Sequence, residues 1–397
     1  MGQAPRELDP RTSAAAAFGA ELRDRRVQSN RSLRELGQLV LVSGDLLGKI
    51  EKGQRRPHSD LVERLDAVLE TRGELKRLAA LFVDFRVTKS LVAVPLSPDA
   101  AVEQIRNLIM EVRAADHGMT ADRLREVVGH AEAAEAVVSK VAPAQRKPLL
   151  RIVAEAYQLA GWMLFDQGHV AGAERTFSRA KSAAERAGAL DLVAYIGGPN
   201  AGFMSTWGGD PTLGAERAYG SLAWAKRSSN RRLTAFVATI AARAHARMGE
   251  AELCVQMLAD AETELERHRA EEPDPNWLAV FDEAALAGHR GSCWLDLGNP
   301  RQAAELLREQ ESTSPIMFVR NKIIWQLEYA EAKFRLGDIE AAVVSLEQTL
   351  DYAEPGPITP RVIRMFRSID MKMRAEARDV AVTATRERLH EFIAGRA

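Results

Sequence analysis

The chain has 397 residues, of which 46 % are hydrophobic and 27 % are charged. These fractions are typical of globular proteins, and the length predicts two or three domains with a sizeable core. No apolar run approaches the roughly 18 residues that a membrane span requires, and no secretory leader pattern is recognisable. The two cysteines, Cys254 and Cys293, exclude a disulfide framework and a cysteine-rich zinc site. We therefore expect a cytoplasmic protein with no membrane contact, no metal and no cofactor.

The formal net charge of −1 conceals an asymmetry along the chain. Residues 1–90 carry 17 Lys and Arg against 13 Asp and Glu, which gives +4. Residues 91–397 carry 37 against 42, which gives −5. This distribution predicts that the N-terminal part faces an anion and that the remainder does not.

Helical periodicity runs through most of the sequence. Apolar residues recur at i, i+3, i+4 and i+7, alternation with period two is rare, and Gly and Pro fall between the periodic segments. The pattern predicts an all-α protein with four regions. These are a flexible arm over 1–17, a domain of short helices over 18–86, a linker with two prolines over 87–99, and a long array of helices over 100–397.

Capping residues mark the helices of the N-terminal domain. Ser32, with Glu35 three residues later, predicts a capping box at the start of its second helix. Ser43 precedes a third helix over 44–52, and Ser59 is expected to cap a fourth. Leucines at helical spacing between these caps supply the expected core of the domain.

The second and third helices carry the motif of a known family. The stretch from Ser32 to Pro57, with its most specific parts at 42–43, 49–53 and 55–57, resembles the Cro/phage-repressor-type helix-turn-helix, the xenobiotic-response-element family. The resemblance covers about residues 18–80. It implies DNA binding, with the helix that opens at Ser43 as the recognition helix in the major groove.

The resemblance implies a DNA-binding surface around this helix. Lys49, Lys52, Arg55 and Arg56 are the expected phosphate contacts, whereas Glu51 is expected to bond within the domain. The full set of expected DNA-contacting residues is Arg31, Ser32, Arg34, Ser43, Gly44, Asp45, Gly48, Lys49, Lys52, Arg55 and Arg56.

Five residues depart from the family pattern. Arg25 and Arg31 stand where an apolar residue is usual. Leu41 stands in the turn where glycine is common, and Gly44 offers no side chain where a base reader is usual. Asp45 either favours the helix start electrostatically or accepts a hydrogen bond from cytosine, and both roles stay open. The departures leave room for an alternative function, in which the helix-turn-helix fold mediates protein contact and no longer binds DNA.

The long helical region repeats with a period of about 34 to 47 residues. Each unit reads as two antiparallel helices with small residues facing each other and a glycine at the turn. The small residues are Gly161, Ala242, Gly291 and Ala330 on the first helices, and Ala173, Cys254, Ala303 and Ala342 on the second. The pattern, over about 150–353, resembles the tetratricopeptide repeat and implies a right-handed α-solenoid. Segments 101–139 and 360–394 are expected to be further repeats or caps.

Such a solenoid offers a concave groove lined by the first helix of each repeat. Amide side chains there can bond the backbone of an extended peptide, arginine can hold a terminal carboxylate, and Trp and Met provide adaptable apolar contact. The expected ligand-binding residues are Gln158, Trp162, Asn200, Met204, Trp207, Thr239, Arg243, Ser292 and Glu331. A polar groove without a ligand is the alternative. No residue pattern typical of an active site is recognisable, so we expect no enzymatic activity.

The combination of the two regions resembles the peptide-pheromone-receptor regulators of Gram-positive bacteria. It implies a transcriptional regulator that forms a homodimer through its solenoid and reads an inverted repeat in double-stranded DNA. It also implies a small signal, often a peptide, as in quorum sensing. Control by a partner protein bound to the solenoid, or an interaction scaffold that has lost DNA binding, are the alternatives.

Overall fold

The structure is a computed structural model that describes residues 14–71, 73–80, 97–114, 121–269, 274–313, 319–354, 356, 358–376 and 379–396. Within these ranges every regular element is helical and no strand occurs. The predicted fold class is confirmed, because a small all-α N-terminal domain precedes a long domain of paired helices.

Both segments that were predicted to be non-helical lie largely outside the described residues. Of the arm predicted over 1–17, residues 1–13 are outside, and the first helix already begins at Ala14. Of the linker predicted over 87–99, residues 87–96 are outside, and Pro98 begins the next described helix. The helices therefore extend a few residues into both predicted segments.

The described part of the N-terminal domain consists of short helices around one core. They are α1 (Ala14–Gln28), α2 (Leu33–Leu39), α3 (Gly44–Glu51), α4 (Ser59–Val68) and α5 (Glu74–Ala80). Each of them contributes fully or almost fully buried apolar side chains, among them Phe18, Leu36, Leu47, Leu65 and Leu75. This shared core fixes the position of α3 relative to the other helices.

The caps of this domain mostly follow the sequence prediction. The amide of Glu35 donates to Ser32 Oγ at 3.2 Å, and the amide of Ser32 donates to Glu35 Oε2 at 2.7 Å, so the capping box is confirmed. Ser43 Oγ accepts from a backbone amide in the first turn of α3 at 3.2 Å, as predicted. The prediction for Ser59 is wrong, because His58 is the N-cap of α4 and makes no side-chain capping bond.

The repeat domain is built from helices that pair with their neighbours in sequence. It begins with α6 (Pro98–Ala114) and α7 (Ala121–Val137). The pairs that follow are α8 (Pro143–Asp166) with α9 (Val170–Ala187), α10 (Leu190–Tyr195) and α11 (Phe203–Trp207) with α12 (Pro211–Arg227), α13 (Arg231–Met248) with α14 (Ala251–Glu266), α15 (Glu283–Asp296) with α16 (Pro300–Thr313), α17 (Val319–Arg335) with α18 (Ile339–Ala353), and α19 (Pro360–Met373) with α20 (Val380–Ala394). No helix in the described ranges is both long enough and apolar enough to cross a membrane.

The turns of the repeats match the predicted pattern. Left-handed backbone angles, with φ of +85°, +78°, +80° and +74°, occur at Gly168, Gly249, Gly298 and Gly337. Glycine adopts this region without a steric penalty, so it is the residue that ends a helix and turns the chain back. The residue packed against a predicted small residue is not always small. A Cβ on Gly161 would lie 2.6 Å from the ring of Phe177, so the glycine makes room for an aromatic ring.

A π-helical segment, Ile196–Gly202, joins α10 to α11 in one continuous helix. It contains Pro199 and the predicted ligand-binding residue Asn200. A π-helical turn holds more residues than an α-helical turn and is frequent at functional sites. The altered spacing agrees with the loose match of this repeat to the sequence pattern.

The repeat domain curls so far that α8 meets α17 and α19. Asp166, at the end of α8, is fully buried. Its Oδ2 accepts from Arg320 Nη1 at 2.6 Å, and its Oδ1 lies 2.7 Å from Arg361 Nε. These contacts of Asp166 therefore join the two sides of the predicted groove. The right-handed twist of the solenoid stays a prediction.

Candidate DNA-binding surface and ligand cavity

The helix predicted to contact DNA is α3. Its inner face carries the buried side chains of Leu47 and Ile50, and its outer face carries the exposed side chains of Asp45 and Lys49. Lys49 Nζ lies 2.8 Å from Asp45 Oδ2, one helical turn away, and this hydrogen bond lowers the pKa of Asp45. The carboxylate therefore offsets the charge of Lys49 at the surface. Lys52, at the C-cap, is exposed as well.

Gly44 begins α3 at a point where the two helices of the motif approach closely. A Cβ on Gly44 would lie 3.2 Å from the carbonyl carbon and oxygen of Leu33 in α2, closer than ordinary van der Waals contact. A side chain at this position would push α2 and α3 apart. Close packing of the two helices therefore favours glycine here, which gives the missing side chain a structural reason besides a loss of DNA binding.

Most of the predicted DNA-contacting residues have exposed side chains. The exposed ones are Ser32, Arg34, Ser43, Asp45, Lys49, Lys52, Arg55 and Arg56, and the half-buried ones are Arg31, Gly44 and Gly48. Arg31 is directed toward the domain, because its Nη1 donates to the carbonyl oxygen of Val68 at 2.9 Å. This bond connects the start of α2 to the end of α4, and a phosphate contact of Arg31 stays a prediction.

Glu51 lies at the buried end of α3 and has the structural role predicted for it. Its carboxylate accepts two hydrogen bonds from Arg26 of α1, from Nε to Oε1 at 2.6 Å and from Nη2 to Oε2 at 3.0 Å. Arg23 Nη2 also donates to the backbone carbonyl of Glu51 at 3.3 Å. These bonds fix the end of α3 against α1.

The repeat domain contains a cavity of about 340 Å³. Residues of α6, α8, α13, α15, α17 and α19 line it, together with the continuous helix 190–207 and the 3₁₀ turn Asn276–Leu278. Its volume lies near the lower end of the roughly 300–1,000 Å³ typical of pockets for small organic molecules.

The structure brings together most of the predicted ligand-binding residues in this cavity. Those that line it are Gln158, Trp162, Asn200, Trp207, Arg243 and Ser292. It does not place Met204, Thr239 or Glu331 in the lining. Met204 is buried, and Phe203 beside it lines the cavity.

Small errors in helical position account for the other two residues. Thr239 is fully buried and donates from Oγ1 to the carbonyl of Ala235 at 2.9 Å, while Ile240 lines the cavity. Glu331 binds Lys372 Nζ at 2.6 Å, and Glu328, almost one turn earlier in α17, lines the cavity. Because one residue turns an α-helix by about 100°, the offset of one position at Thr239 moves the side chain to another face, and the offset of three positions at Glu331 moves it by about 60°.

One wall of the cavity is a chain of polar side chains. Arg113 Nη2 donates to Gln158 Oε1 at 3.2 Å, and Gln158 Nε2 donates to Asn200 Oδ1 at 2.7 Å. The side chain of Asn200 also hydrogen-bonds the hydroxyl of Tyr195, the residue just before the π-helical segment. These four side chains, from three separate helical elements, all line the cavity.

Aromatic rings form much of the remaining wall. Trp277 packs on Tyr195 with ring centroids 4.4 Å apart, and both line the cavity. The guanidinium of Arg361 lies among four rings, with its Cζ 5.1 to 5.9 Å from their centroids. Cation–π contact of this kind stabilises a buried arginine beyond its ion pair.

His289 faces the cavity from α15 and is surrounded by rings of Phe203, Phe236 and Trp325 at centroid distances of 5.9 to 6.4 Å. Burial, assisted by the nearby positive charge of Arg243, lowers the pKa of His289 to about 3. The imidazole is therefore neutral at neutral pH. Its Nδ1 has no hydrogen-bond partner within the described residues, so a bound molecule could supply one.

Several cavity residues were not predicted from the sequence. They are Arg113, Tyr195, Trp277, His289, Arg320, Glu328 and Arg361, among others. A signal did exist for one of them: Arg361 and Arg364 are charged residues on a helix whose buried positions otherwise include Val362, Met365 and Phe366. Charged side chains are almost never fully buried without a partner, so such a pair marks a special site.

The cysteines and the core histidine behave as predicted. Cys254 and Cys293 are both free and buried, and their side chains hydrogen-bond each other. His245 is buried between Tyr219, whose hydroxyl lies 2.6 Å from Nε2, and Glu250, whose Oε2 lies 2.6 Å from Nδ1. Within the described residues, no group of three or more His, Cys, Asp or Glu is arranged to hold a metal ion.

Comparison with known proteins bears on the N-terminal domain. The family model for a helix-turn-helix domain matches residues 17–79. The N-terminal domain is a helix-turn-helix domain. The match agrees with the described geometry, in which α2 and α3 pack closely across a tight turn. No curated protein shows a significant sequence match to the chain.

Two solved structures are remotely similar to this chain. One is PlcR of Bacillus thuringiensis in complex with the peptide PapR7 and DNA, with 14 % identity, coverage of 74 % of this chain and 96 % of that chain, and a TM-score of 0.29. The other is a monomeric mutant of IFIT1 with the cap m7Gppp-AAAA, with 12 % identity, coverage of 98 % and 92 %, and a TM-score of 0.40.

Helix α19 contacts both the cavity and the helix-turn-helix domain. Arg361 in its first turn lines the cavity. Arg374, just after its last turn, lies with Nη1 3.6 Å from Asp24 Oδ2 in α1. A second cavity, of about 850 Å³, lies between α1, α5, α19 and α20. A displacement of α19 would therefore change contacts in both the ligand cavity and the helix-turn-helix domain.

Proposed function

We propose that the protein is a non-enzymatic, DNA-binding transcriptional regulator of the Cro/phage-repressor type, whose tetratricopeptide-like domain senses a small signal. The observation that carries the proposal is the helix-turn-helix domain, matched over residues 17–79, whose helix α3 is followed by exposed cations. Lys52, Arg55 and Arg56 are exposed in and after the C-cap of α3. Positive side chains in such a position suit phosphate contacts that orient a recognition helix on DNA.

A mobility shift with the full chain tests DNA binding. The upstream region of the protein's own gene is compared with a scrambled duplex of equal length and composition, at two salt concentrations. We expect a shift that weakens with salt, because phosphate contacts release counterions, and tighter binding to the upstream region. A chain that shifts neither duplex at low salt would favour the scaffold alternative.

We further propose a homodimer that reads an inverted repeat. One helix-turn-helix domain makes few base contacts, and two half-sites about one helical turn apart raise both affinity and specificity. The repeat domain is the expected source of the dimer contact, since it is by far the larger surface. Sedimentation with and without operator DNA checks the state, and a monomer in both conditions would contradict this part of the proposal.

The cavity is the proposed signal site, and the resemblance to peptide-pheromone-receptor regulators favours a peptide as the signal. Asn200 and Gln158 are central to this part, because their amides line the cavity and can bond a peptide backbone. A ligand shifts DNA binding only if it binds two arrangements of the protein with different affinity. We expect Asn200→Ala to remove the response of DNA binding to a culture extract of the source organism while DNA affinity without extract stays unchanged. An unaltered response would favour a partner protein bound elsewhere on the solenoid.

A further inference from the structure

Positive charge dominates the lining of the cavity in the repeat domain. Four arginines line it, namely Arg113, Arg243, Arg320 and Arg361. Among the lining residues that the structure describes, Glu328 is the one carboxylate. Charges removed from water are costly unless opposite charges compensate them, so this imbalance calls for an anion in the cavity.

The carboxylates behind the lining leave the arginines in excess. Asp296 Oδ2 lies 3.4 Å from Arg243 Nη2. Asp166 is shared by Arg320 and Arg361, at 2.6 Å and 2.7 Å. Arg364 is buried beside them, with 1 % of its surface exposed, and interacts with the same carboxylate. Burial lowers the pKa of Arg361 to about 10 and that of Arg364 to about 9, as expected where cations outnumber anions in a region shielded from water.

Arg113 is the arginine best placed to receive an anion. Its guanidinium is held by the neutral amide of Gln158 at 3.2 Å, and no carboxylate in the described residues lies within ion-pair distance of it, although Glu155 attracts it from farther away. Burial lowers the pKa of Arg113. Since the chain from Gln158 to Asn200 fixes this side chain, its charge is oriented toward the cavity before any ligand binds.

The rest of the cavity suits a flat apolar body. Trp162, Trp277 and Trp325 line it together with other aromatic side chains, and the volume of about 340 Å³ equals that of about eleven waters in the liquid. Rings of this kind bury large apolar area and favour stacked or edge-on contact with another ring. The volume admits a compact molecule or one end of a peptide.

We propose that the cavity binds a carboxylate carried on an aromatic body, with the carboxylate on Arg113 and the body between the tryptophans. The inference rests on the proposed function in one respect: it takes the cavity as the signal site and names the chemical class of that signal. Such a group can come from a free aromatic acid or from the last residue of a peptide, and the two sources share the chemistry that Arg113 recognises.

Binding to the full chain, without DNA, is measured by calorimetry with pairs of probes that have the same aromatic body, one a charged acid and the other its neutral amide. Phenylacetate, indole-3-acetate and naphthalene-1-acetate are each compared with the corresponding amide, and tryptamine serves as the cationic analogue. We expect the best acid to bind at least about ten-fold more tightly than its amide, and tryptamine to bind most weakly. The peptide Gly-Gly-Trp with a free or an amidated C-terminus distinguishes the sources, because tighter binding of the free peptide than of any acid assigns the group to a peptide end.

Substitutions in α6 test whether the carboxylate binds at Arg113. Arg113→Gln is expected to bring the ratio of acid to amide affinity close to one, and Arg113→Lys to restore part of it. Arg106→Gln, on the same helix, is the matched control, since Arg106 is exposed and pairs with Glu103 at 2.6 Å; it should leave the ratio unchanged. Thermal unfolding of each variant checks that the fold is retained.

Three results would overturn the proposal: equal affinity for acid and amide, a preference that survives in Arg113→Gln, or no binding of any acid or of the free peptide at about 1 mM. None of these measurements involves DNA. Their failure would leave the proposed DNA binding standing, and a failure of the mobility shift would leave the cavity result standing.

Discussion

Arg367 of α19 and Glu74 of α5 form an ion pair, with Nη2 2.8 Å from Oε1, across the boundary between the repeat domain and the helix-turn-helix domain. Both side chains are largely buried, with 16 % and 18 % of their surface exposed. Because Arg361 lines the cavity six residues earlier on the same helix, the pair lies on a short physical route from the cavity to the DNA-binding domain.

Loss of this pair should loosen the helix-turn-helix domain at α5. In Arg367→Gln we expect amide hydrogen exchange in α5 to accelerate by about five-fold, since a pair of this kind contributes about 1 kcal/mol to local stability. Exchange in α13 should not change. Arg388→Gln is the control, because Arg388 pairs with Asp351 and Glu347 of α18, on the repeat domain alone. Equal exchange in α5 for parent and Arg367→Gln would show that the pair does not hold the domains together.

Leu41 is a position where substitution should increase stability. It has φ of +57° in the turn between α2 and α3, and 81 % of its surface is exposed. A left-handed backbone costs a residue with a Cβ about 1 kcal/mol, and glycine avoids this cost. Leu41→Gly should therefore slow hydrogen exchange in α2 and α3 by about five-fold. Asn30→Gly, at φ +55°, is the matched comparison and should change exchange little, because asparagine tolerates this region. Faster exchange in Leu41→Gly would mean that the leucine side chain contributes packing that outweighs the strain.

The exposed arginines after α3 should set the salt dependence of DNA binding. We expect the double variant Arg55→Ala and Arg56→Ala to weaken binding to all sequences and to reduce the slope of log affinity against log salt by up to about two units, roughly one for each lost phosphate contact. Arg301→Ala with Arg308→Ala removes the same charge from exposed positions on α16 and serves as the control. If both double variants change the slope equally, the effect is one of net charge and not of contact.

His289 should make the fold sensitive to acid. The pKa of this histidine is about 3 in the folded protein, against about 6.5 for an unperturbed histidine, so the unfolded chain binds more protons between these values. Stability therefore falls as pH decreases through this window. Between pH 6.5 and 4.5 we expect the parent to lose about 2 kcal/mol more than His289→Gln in urea unfolding. His58→Gln, at an exposed position, should keep the parental slope. A parental slope in His289→Gln as well would assign the acid sensitivity to other groups.

The features that sequence analysis predicted well are those that depend on neighbours in the chain. The capping box of Ser32 and Glu35 and the turn at Gly168 each depend on a few consecutive residues, so the sequence alone identifies them. Asn200 and Trp162 were found because the helical period places them on the inner face of a repeat.

The features that were missed depend on how distant segments meet. Arg361 enters the cavity only because the superhelix closes and brings α19 to Asp166 of α8. Trp277 lies in a 3₁₀ turn outside the repeat pattern, so no period pointed to it. Thr239 was chosen instead of Ile240 because a pattern locates a helix face only to within about one residue.

The arrangement of side chains in the cavity depends on the number of residues in the π-helical segment Ile196–Gly202, as well as on their identity. In an α-helix, residues five apart point about 140° away from each other. Tyr195 and Asn200 have this separation, yet they line one wall and share a hydrogen bond. Deletion of one residue after Asn200, at Ala201 or Gly202, would restore α-helical winding but keep the five-residue separation, and would therefore part these two side chains without changing either. An insertion or deletion here is therefore expected to alter ligand selectivity as strongly as a substitution in the lining.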